Sequence, residues 1–425
     1  MTRTPVDLLI VHADEIATPA GPGPRRGRQM DELRVVADGA LAVRDGRIVA
    51  LGPTAELEAE FAAQRTHDAR GCFVVPGFVD AHTHPVFVGT REHEFDLRLR
   101  GVGYEEITRR GGGIFRSVAD LRAADDATLA ASVRGHLRRF LAAGTTTVEC
   151  KSGYGLTWHD EHRSLELLRR EADAPELRPL RVVPTFLGAH QCPKEFRDRR
   201  GDYVRALTRE MIPAVARGGL ARFCDVFCDE GAFDVAESRE VLAAARDHGL
   251  GLRVHADELA PSGGARLAAE LGAASADHLV HVDDAAIAAM GEAGVAPVLL
   301  PGTVFSLGLK KAPPARAMVE RGLAVAIASD FNPGTSCLWS PLLVIALACQ
   351  VLRLTIAEAL TAATANAAAS LGLGAECGAL LPGMSADAVL IRGGSHHLLA
   401  YRVSEGPIER VLARGKMVEP RALAP

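Results

Sequence analysis

The sequence lacks a long apolar run, an excess of basic residues and closely paired cysteines, and each absence removes a class of function. Its longest apolar stretch, around Leu342 to Cys349, is far shorter than the roughly 20 residues that span a bilayer. The early run Leu8-Leu9-Ile10-Val11 is too short for the core of a secretory signal and is soon followed by Asp14 and Glu15. A formal net charge of −5 and the want of any long Lys/Arg run argue against nucleic acid as a partner. Arg25-Arg26-Gly27-Arg28 lies among Gly and Pro and reads as a solvated loop. The eight cysteines are scattered with no Cys-x-x-Cys pair, so reduced thiols in a cytoplasmic protein are expected. Cys224 and Cys228 share one face of an expected strand and read as buried, inert thiols.

What is present is material for a large core. Of 425 residues, 48% are hydrophobic and 24% charged, the usage of an ordinary globular chain. The length suits one closed α/β barrel of roughly 250 residues plus a smaller domain. From Val6 to Gly52 short apolar runs alternate with turns, and Asp38-Gly39 and Asp45-Gly46 bracket Ala40–Arg44 as hairpin punctuation. The stretch Phe73–His84 reads as one buried strand ending in two histidines. Beyond it, apolar strands alternate with long Ala-, Leu- and Arg-rich helical segments, the pattern of repeated βα units. The further strands are expected near 145–149, 181–187, 222–227, 251–255, 275–280, 295–300 and 323–329. From Gly378 onward short strands and turns return. The expected α/β fold is therefore a TIM-like (β/α)8 barrel over residues 72–377, with a small β-sandwich-like domain built from residues 1–71 and 378–425.

Polar residues gather at the C-terminal ends of the expected strands, the face where barrel enzymes keep their sites. They are His82 and His84 after the first, Lys151 and Tyr154 after the second, and His190 after the third. His255 and Glu258 follow the fifth, His278 the sixth, and Asp330 with Asn332 the eighth. Side chains two apart on a strand point to the same side, so His82 and His84 can share a cation. Three nitrogens from His82, His84 and His255 with one oxygen from Asp330 suit a divalent transition metal that keeps a position for water. The tetrapeptide His-Ala-Asp-Glu occurs twice, as His12–Glu15 and as His255–Glu258. His12 precedes the barrel, so the second copy is the one expected in the site.

Asp80-Ala81-His82-Thr83-His84, Lys151-Ser152-Gly153-Tyr154-Gly155, His255-Ala256-Asp257-Glu258, Asp277-His278 and Ser329-Asp330-Phe331-Asn332-Pro333-Gly334-Thr335 together resemble the imidazolonepropionase family of the amidohydrolase superfamily. The first and last motifs indicate only the superfamily, whereas the Lys-Ser-Gly-Tyr-Gly and Asn-Pro-Gly segments are more specific. The resemblance implies hydrolysis of 4-imidazolone-5-propanoate to N-formimidoyl-L-glutamate in histidine degradation, with one zinc or iron ion per chain. Such an ion would acidify a water that attacks the ring carbonyl carbon, so that the adjacent C–N bond opens. Glu258 and His278 are both candidates for orienting the water or substrate and moving protons, with His278 read as the base and Glu258 as a contact to the ring nitrogens, and the resemblance implies Arg91 as the partner of the propionate carboxylate. Tyr104, Tyr154 and His190 would line the pocket, Asn332, Gly334 and Thr335 would contact substrate or product, and the protein would be a homodimer. Lys151 is expected as a structural or pocket residue, since the lysine that bridges two metals in relatives comes from strand four. Gly111-Gly112-Gly113 reads equally as a mobile cover and as an ordinary loop. A purine or pyrimidine deaminase of the same superfamily is the alternative, using the same His82, His84, His255, Asp330 and Glu258. A third reading, a barrel kept as a binding scaffold, would require a protein unable to hold metal.

Overall fold

The computed structural model describes residues 3–109, 111–403 and 407–423. Five strands open the chain: β1 (Thr4–Pro19), β2 (Leu33–Arg44), β3 (Arg47–Pro53), β4 (Phe61–Asp68) and β5 (Cys72–Pro76). Eight more build a second sheet: β6 (Phe78–Asp80), β7 (Thr145–Lys151), β8 (Arg181–Ala189), β9 (Phe223–Cys228), β10 (Gly251–Ala256), β11 (Ser275–His278), β12 (Ala296–Leu299) and β13 (Ala326–Ile327). The chain ends with β14 (Ala388–Arg392), β15 (Ile408–Ala413) and β16 (Lys416–Val418).

Both chain ends share one mixed sheet, ordered β16-β15-β14-β5-β1-β2-β3, with β4 paired to β1 as well. Alternate residues of β1 enter two different apolar clusters, Leu8 and Ile10 in one and Leu9 and Val11 in the other. That alternation buries both faces of the sheet.

The stretch read as a single strand from Phe73 is two strands in two sheets. β5 pairs with β14 of the end sheet, while β6 pairs with β7. The switch occurs at Pro76-Gly77, because proline has no N–H to continue a ladder. The Gly77 N–H turns to Asp387 O at 2.8 Å, and the next, on Phe78, turns to Gly144 O at 3.1 Å. A side chain at Gly77 would strike Thr146 at 2.3 Å. The two strand ladders therefore part at Pro76-Gly77.

β6 to β13 pair in sequence order and in parallel. The last strand is shorter than its apolar run suggested, with a two-residue ladder. Asp330, with φ 52°, turns the chain out of it. The barrel closes through the next residues instead: the Asp330 N–H donates to His82 O at 3.1 Å and the His84 N–H to Phe331 O at 2.8 Å. This seam sets Asp330 against the two histidines.

Inside the barrel Val79, Val183, Phe223, Val298 and Ala326 form an apolar plug toward the N-terminal ends of the strands. Helices cover the outside of the barrel. The helix Asp126–Ala142 buries Leu129, Val133, Leu137 and Phe140, and its first turn is capped by Asp125, which accepts the Thr128 N–H at 2.8 Å.

Candidate active site

Three imidazoles converge at the C-terminal mouth of the barrel. His84 Nε2 lies 3.3 Å from His82 Nε2 and 3.3 Å from His255 Nε2. Asp330 Oδ1 stands 3.5 Å from His82 Nε2 and 3.4 Å from His84 Nε2. Ligands about 2.1 Å from one tetrahedral ion sit about 3.4 Å apart, so these spacings match the edges of a coordination shell. The tautomers agree. His82 Nδ1 lies 2.6 Å from Asp277 Oδ2, and His255 Nδ1 lies 3.1 Å from Asp225 Oδ1. Each Nδ1 thus carries a proton toward a carboxylate and each Nε2 presents a lone pair to the cluster. Facing lone pairs repel, and a cation between them resolves the repulsion. Burial, reinforced by neighbouring positive groups, holds His82 and His84 well below the usual imidazole range, in the neutral form that binds metal. The donor set fits a metal ion.

Beneath the ligands lies a layer of buried charge. Lys151 Nζ sits 2.8 Å from Glu149 Oε1 and 2.8 Å from Asp225 Oδ2, with all three side chains closed to solvent. Arg253, stacked over Phe223 at 5.5 Å, reaches Asp277 Oδ2 at 3.3 Å and Ala81 O at 2.8 Å. Asp225 stays well below the usual carboxylate range, since His255 and Lys151 outweigh the opposing effect of burial. Such a layer costs desolvation energy and holds only when each charge is paired. Counted with Asp330, its carboxylates outnumber Lys151 and Arg253, the electrostatic complement of a bound cation. Lys151 is therefore an ammonium locked in ion pairs below the ligands.

Above the cluster opens a cavity of about 200 Å³, lined by His84, Arg91, Tyr154, His190, His255, Glu258, His278, Asp330, Asn332 and Thr335 among others. Burial, with Asp330 nearby, pushes the Glu258 carboxyl well above its usual range, which favours its protonated form. Burial lowers His278 to about 3, which keeps its ring neutral. His278 Nε2 lies 3.5 Å from Glu258 Oε2 and makes no hydrogen bond. Its backbone φ of 74° and that of Asp257, 52°, mark the bends that aim these side chains inward. Burial also raises the Tyr154 phenol, which stays neutral.

The second half of the pocket is held by caps. Glu161 accepts the N–H groups of Gly153 at 3.0 Å, Gly155 at 2.8 Å and Leu156 at 2.8 Å, which clamps the turn carrying Tyr154. His190 Nδ1 meets Gly153 O at 2.9 Å. Asn332 Oδ1 accepts from Gly334 N at 2.8 Å and Thr335 N at 2.7 Å, closing the Asn-Pro-Gly-Thr turn on itself. Arg91 Nη1 lies where a side chain at Gly334 would come within 2.4 Å, so glycine gives the guanidinium its space.

The structure brings together every candidate named from sequence except Tyr104, whose side chain lies outside the described residues. Gly111 to Gly113 form a turn next to Arg110, also outside the described residues, and the Gly113 N–H donates to Glu94 Oε1 at 3.1 Å. His12 lies in the end sheet, its Nδ1 3.0 Å from Asp38. Cys224 and Cys228 are buried free thiols. The residues sequence reasoning missed are Glu149, Asp225, Arg253 and Asp277, together with Thr303, whose hydroxyl donates to Asp330 Oδ2 at 2.5 Å. A signal existed: each of the four charges falls inside an expected strand of a parallel sheet, which is buried on both faces and where an ion requires a partner.

The family model described as "Amidohydrolase family" matches residues 73–418, and one described as "Imidazolonepropionase-like composite domain, bacteria" matches residues 39–63. The chain is 50% identical over 418 residues to a protein of Symbiobacterium thermophilum named imidazolonepropionase, covering 97% of each. A protein of the same name from Solibacter usitatus is 46% identical, covering 98% of this chain and 99% of its own. Among solved structures, a zinc-bound adenosine deaminase from Xanthomonas campestris superposes with a TM-score of 0.74 at 20% identity, covering 99% of this chain and 97% of that one.

Proposed function

The chain belongs to the amidohydrolase family, among the imidazolonepropionases, and from that premise we infer that it hydrolyses the cyclic amide of 4-imidazolone-5-propanoate to N-formimidoyl-L-glutamate in histidine degradation. The observation that carries this reading is the near-full-length match at 50% identity. The deaminase alternative has less support, because the adenosine deaminase shares the fold at 20% identity.

In the proposed site His82, His84 and His255 offer Nε2 and Asp330 offers Oδ1 to one zinc or iron ion, both of which suit nitrogen and carboxylate ligands. When bound, the ion acidifies water and makes it nucleophilic at neutral pH. Glu258, protonated, donates to a ring nitrogen and fixes the ring against the cluster. His278 Nε2, unoccupied and facing the cavity, takes the proton of the water that adds to the carbonyl carbon. It returns that proton to the ring nitrogen as the C–N bond breaks, which leaves a carboxylate and the formimidoyl group. Arg91 holds the propionate carboxylate, with Tyr104, Tyr154, His190, Asn332, Gly334 and Thr335 completing the contacts.

Two further parts of the proposal concern the whole protein. The end-built sheet and the barrel are separate domains, supported by their separate strand ladders. A cytoplasmic homodimer rests on the family resemblance and the free thiols, and light scattering in solution tests the dimer. The activity test follows loss of the imidazolone ultraviolet absorption and appearance of formiminoglutamate, with metal counted per chain. Turnover with about one ion per chain supports the assignment. A metal-replete protein that leaves the imidazolone intact overturns it. Arg91→Ala is expected to keep its metal and to raise KM by about ten-fold or more.

A further inference from the structure

Among the described residues Arg91 is the sole guanidinium or ammonium group lining the cavity, and its orientation is fixed by a buried neighbour that no part of the mechanism uses. Glu94 is 8% exposed. Its Oε2 accepts from Arg91 Nε at 3.0 Å and from Nη2 at 2.7 Å. Its Oε1 accepts the Gly113 N–H at 3.1 Å. The two oxygens of one carboxylate therefore serve two different elements.

We propose that Glu94 is a positioning residue that selects for a carboxylate-bearing substrate, by locking Arg91 end-on to the cavity and tying it to the wall formed by Ile114. The proposal rests on the hydrolase reading above and deepens it.

The geometry assigns each part. A guanidinium has two edges that can grip a carboxylate, Nε with one Nη and the pair of Nη groups. Glu94 occupies the first, which leaves the Nη1/Nη2 edge, beside Gly334, for substrate. The other oxygen acts on the glycine turn. Gly113, at φ 74° and ψ −163°, a conformation open to glycine, precedes the helix Ile114–Ala123. Ile114 is the first residue of that helix and lines the cavity. A side chain at Gly112 would meet Glu94 Oε1 at 2.9 Å and Ile107 O at 2.9 Å, so the turn closes on Glu94 only with glycine there. Loss of Glu94 would free both the cation and the apolar wall.

A plain counter-ion predicts the opposite sign. If Glu94 did no more than neutralise Arg91, its removal would leave a bare cation and tighten anion binding. The experiment is calorimetric titration of the metal-loaded wild type, Glu94→Gln and Gly112→Ala with imidazole-4-propionate and with its uncharged propionamide. Gln keeps the shape, but its NH2 group faces an N–H of either Arg91 or Gly113. The expected result is a Kd for the propionate weakened about ten-fold in Glu94→Gln, with the propionamide changed less than about two-fold. Gly112→Ala, which crowds Oε1, gives the same pattern at smaller size. Propionate binding that is unchanged or tighter in Glu94→Gln overturns the proposal, and so does equal weakening of both ligands, which would mark a general wall. Turnover by the wild type is measured beside these titrations. A wild type inactive toward the imidazolone refutes the hydrolase reading, whereas an active wild type with an indifferent Glu94→Gln refutes this inference alone.

Discussion

The chain spells His-Ala-Asp-Glu twice, and the two copies have nothing in common beyond their order. In the end sheet His12 sits at the bulge of β1 with φ 55° and pairs with exposed Asp38. Asp14 accepts a single N–H, from Gly71 at 3.0 Å, and Glu15 binds His396 Nδ1 at 2.6 Å. In the barrel His255 ends β10, is oriented by Asp225, and turns Nε2 into the ligand cluster. Asp257 caps the following helix and Glu258 enters the cavity. Identical side chains in identical order became a bulged stretch of strand in one sheet, and in the other one of the four candidate ligands with an acid lining the cavity. The difference is supplied entirely by residues from other strands. Asp225 comes from β9, Asp277 from β11, and His84 from beyond β6.

Substituting the two copies in parallel is the direct way to break this comparison, and the first position gives the largest contrast. His255→Ala removes a ligand, so bound metal and turnover are expected to fall together, turnover by roughly 10³-fold or more. His12→Ala is expected to keep its metal and stay within about two-fold of wild-type turnover, since exposed pairs contribute little. Elemental analysis beside kinetics reads both. Equal losses would mean that the local tetrapeptide, rather than its partners, carries the chemistry.

The fourth position comes next. Glu258→Gln keeps size, metal and an N–H that can donate to the ring, so kcat/KM is expected to fall by about ten-fold, whereas Glu258→Ala removes the contact and lowers it by about 10²-fold. Glu15→Gln weakens the two bonds that Glu15 Oε1 accepts from His396, from its backbone N–H at 2.8 Å and from Nδ1 at 2.6 Å, and is expected to change only the thermal midpoint. The partners of the first position then sharpen the argument. Asp225→Asn leaves His255 in place but removes the carboxylate that sets its tautomer, and metal affinity measured against a chelator is expected to weaken about 10–100-fold. Asp38→Asn has no such effect, because His12 Nδ1 turns toward solvent at no cost to any ligand.

Sequence reached the strands and their tips because both follow from periodicity: apolar runs alternate with helices, and side chains two apart share a side. It also separated the two tetrapeptides, since position along the chain decides which copy ends a barrel strand. It missed what depends on pairing across strands. Nothing local to Arg253 names Asp277, and nothing local to Lys151 names Asp225, though each stands as a charge in a strand of a parallel sheet. The division of Phe73–His84 between two sheets escaped for the same reason, because the partners of β5 and β6 lie at Ala388–Arg392 and Thr145–Lys151. Glu94 was hidden differently. It lies three residues beyond Arg91 at ordinary helical spacing, and only the folded turn at Gly113 gives its second oxygen a task.

The smallest expected contrast lies at the third position and isolates this dependence on partners most cleanly, because neither aspartate belongs to the proposed ligand set. Asp257 uses both oxygens: Oδ1 accepts the Gly263 N–H at 2.8 Å and Oδ2 the Ala265 N–H at 3.0 Å. An asparagine there keeps one acceptor and turns an NH2 group against the other N–H, in a site 3% exposed. A buried N–H left without an acceptor costs about 1–3 kcal/mol. Asp14 uses one oxygen, for Gly71, so an asparagine can rotate its own oxygen into place and lose less than about 0.5 kcal/mol. Denaturant midpoints of Asp257→Asn and Asp14→Asn, compared at unchanged slope, measure the gap. Asp257→Asn is also expected to lower kcat modestly, since the turn it caps carries Glu258. If Asp14→Asn proved as costly as Asp257→Asn, the count of accepted hydrogen bonds would be the wrong account of why one sequence serves two roles.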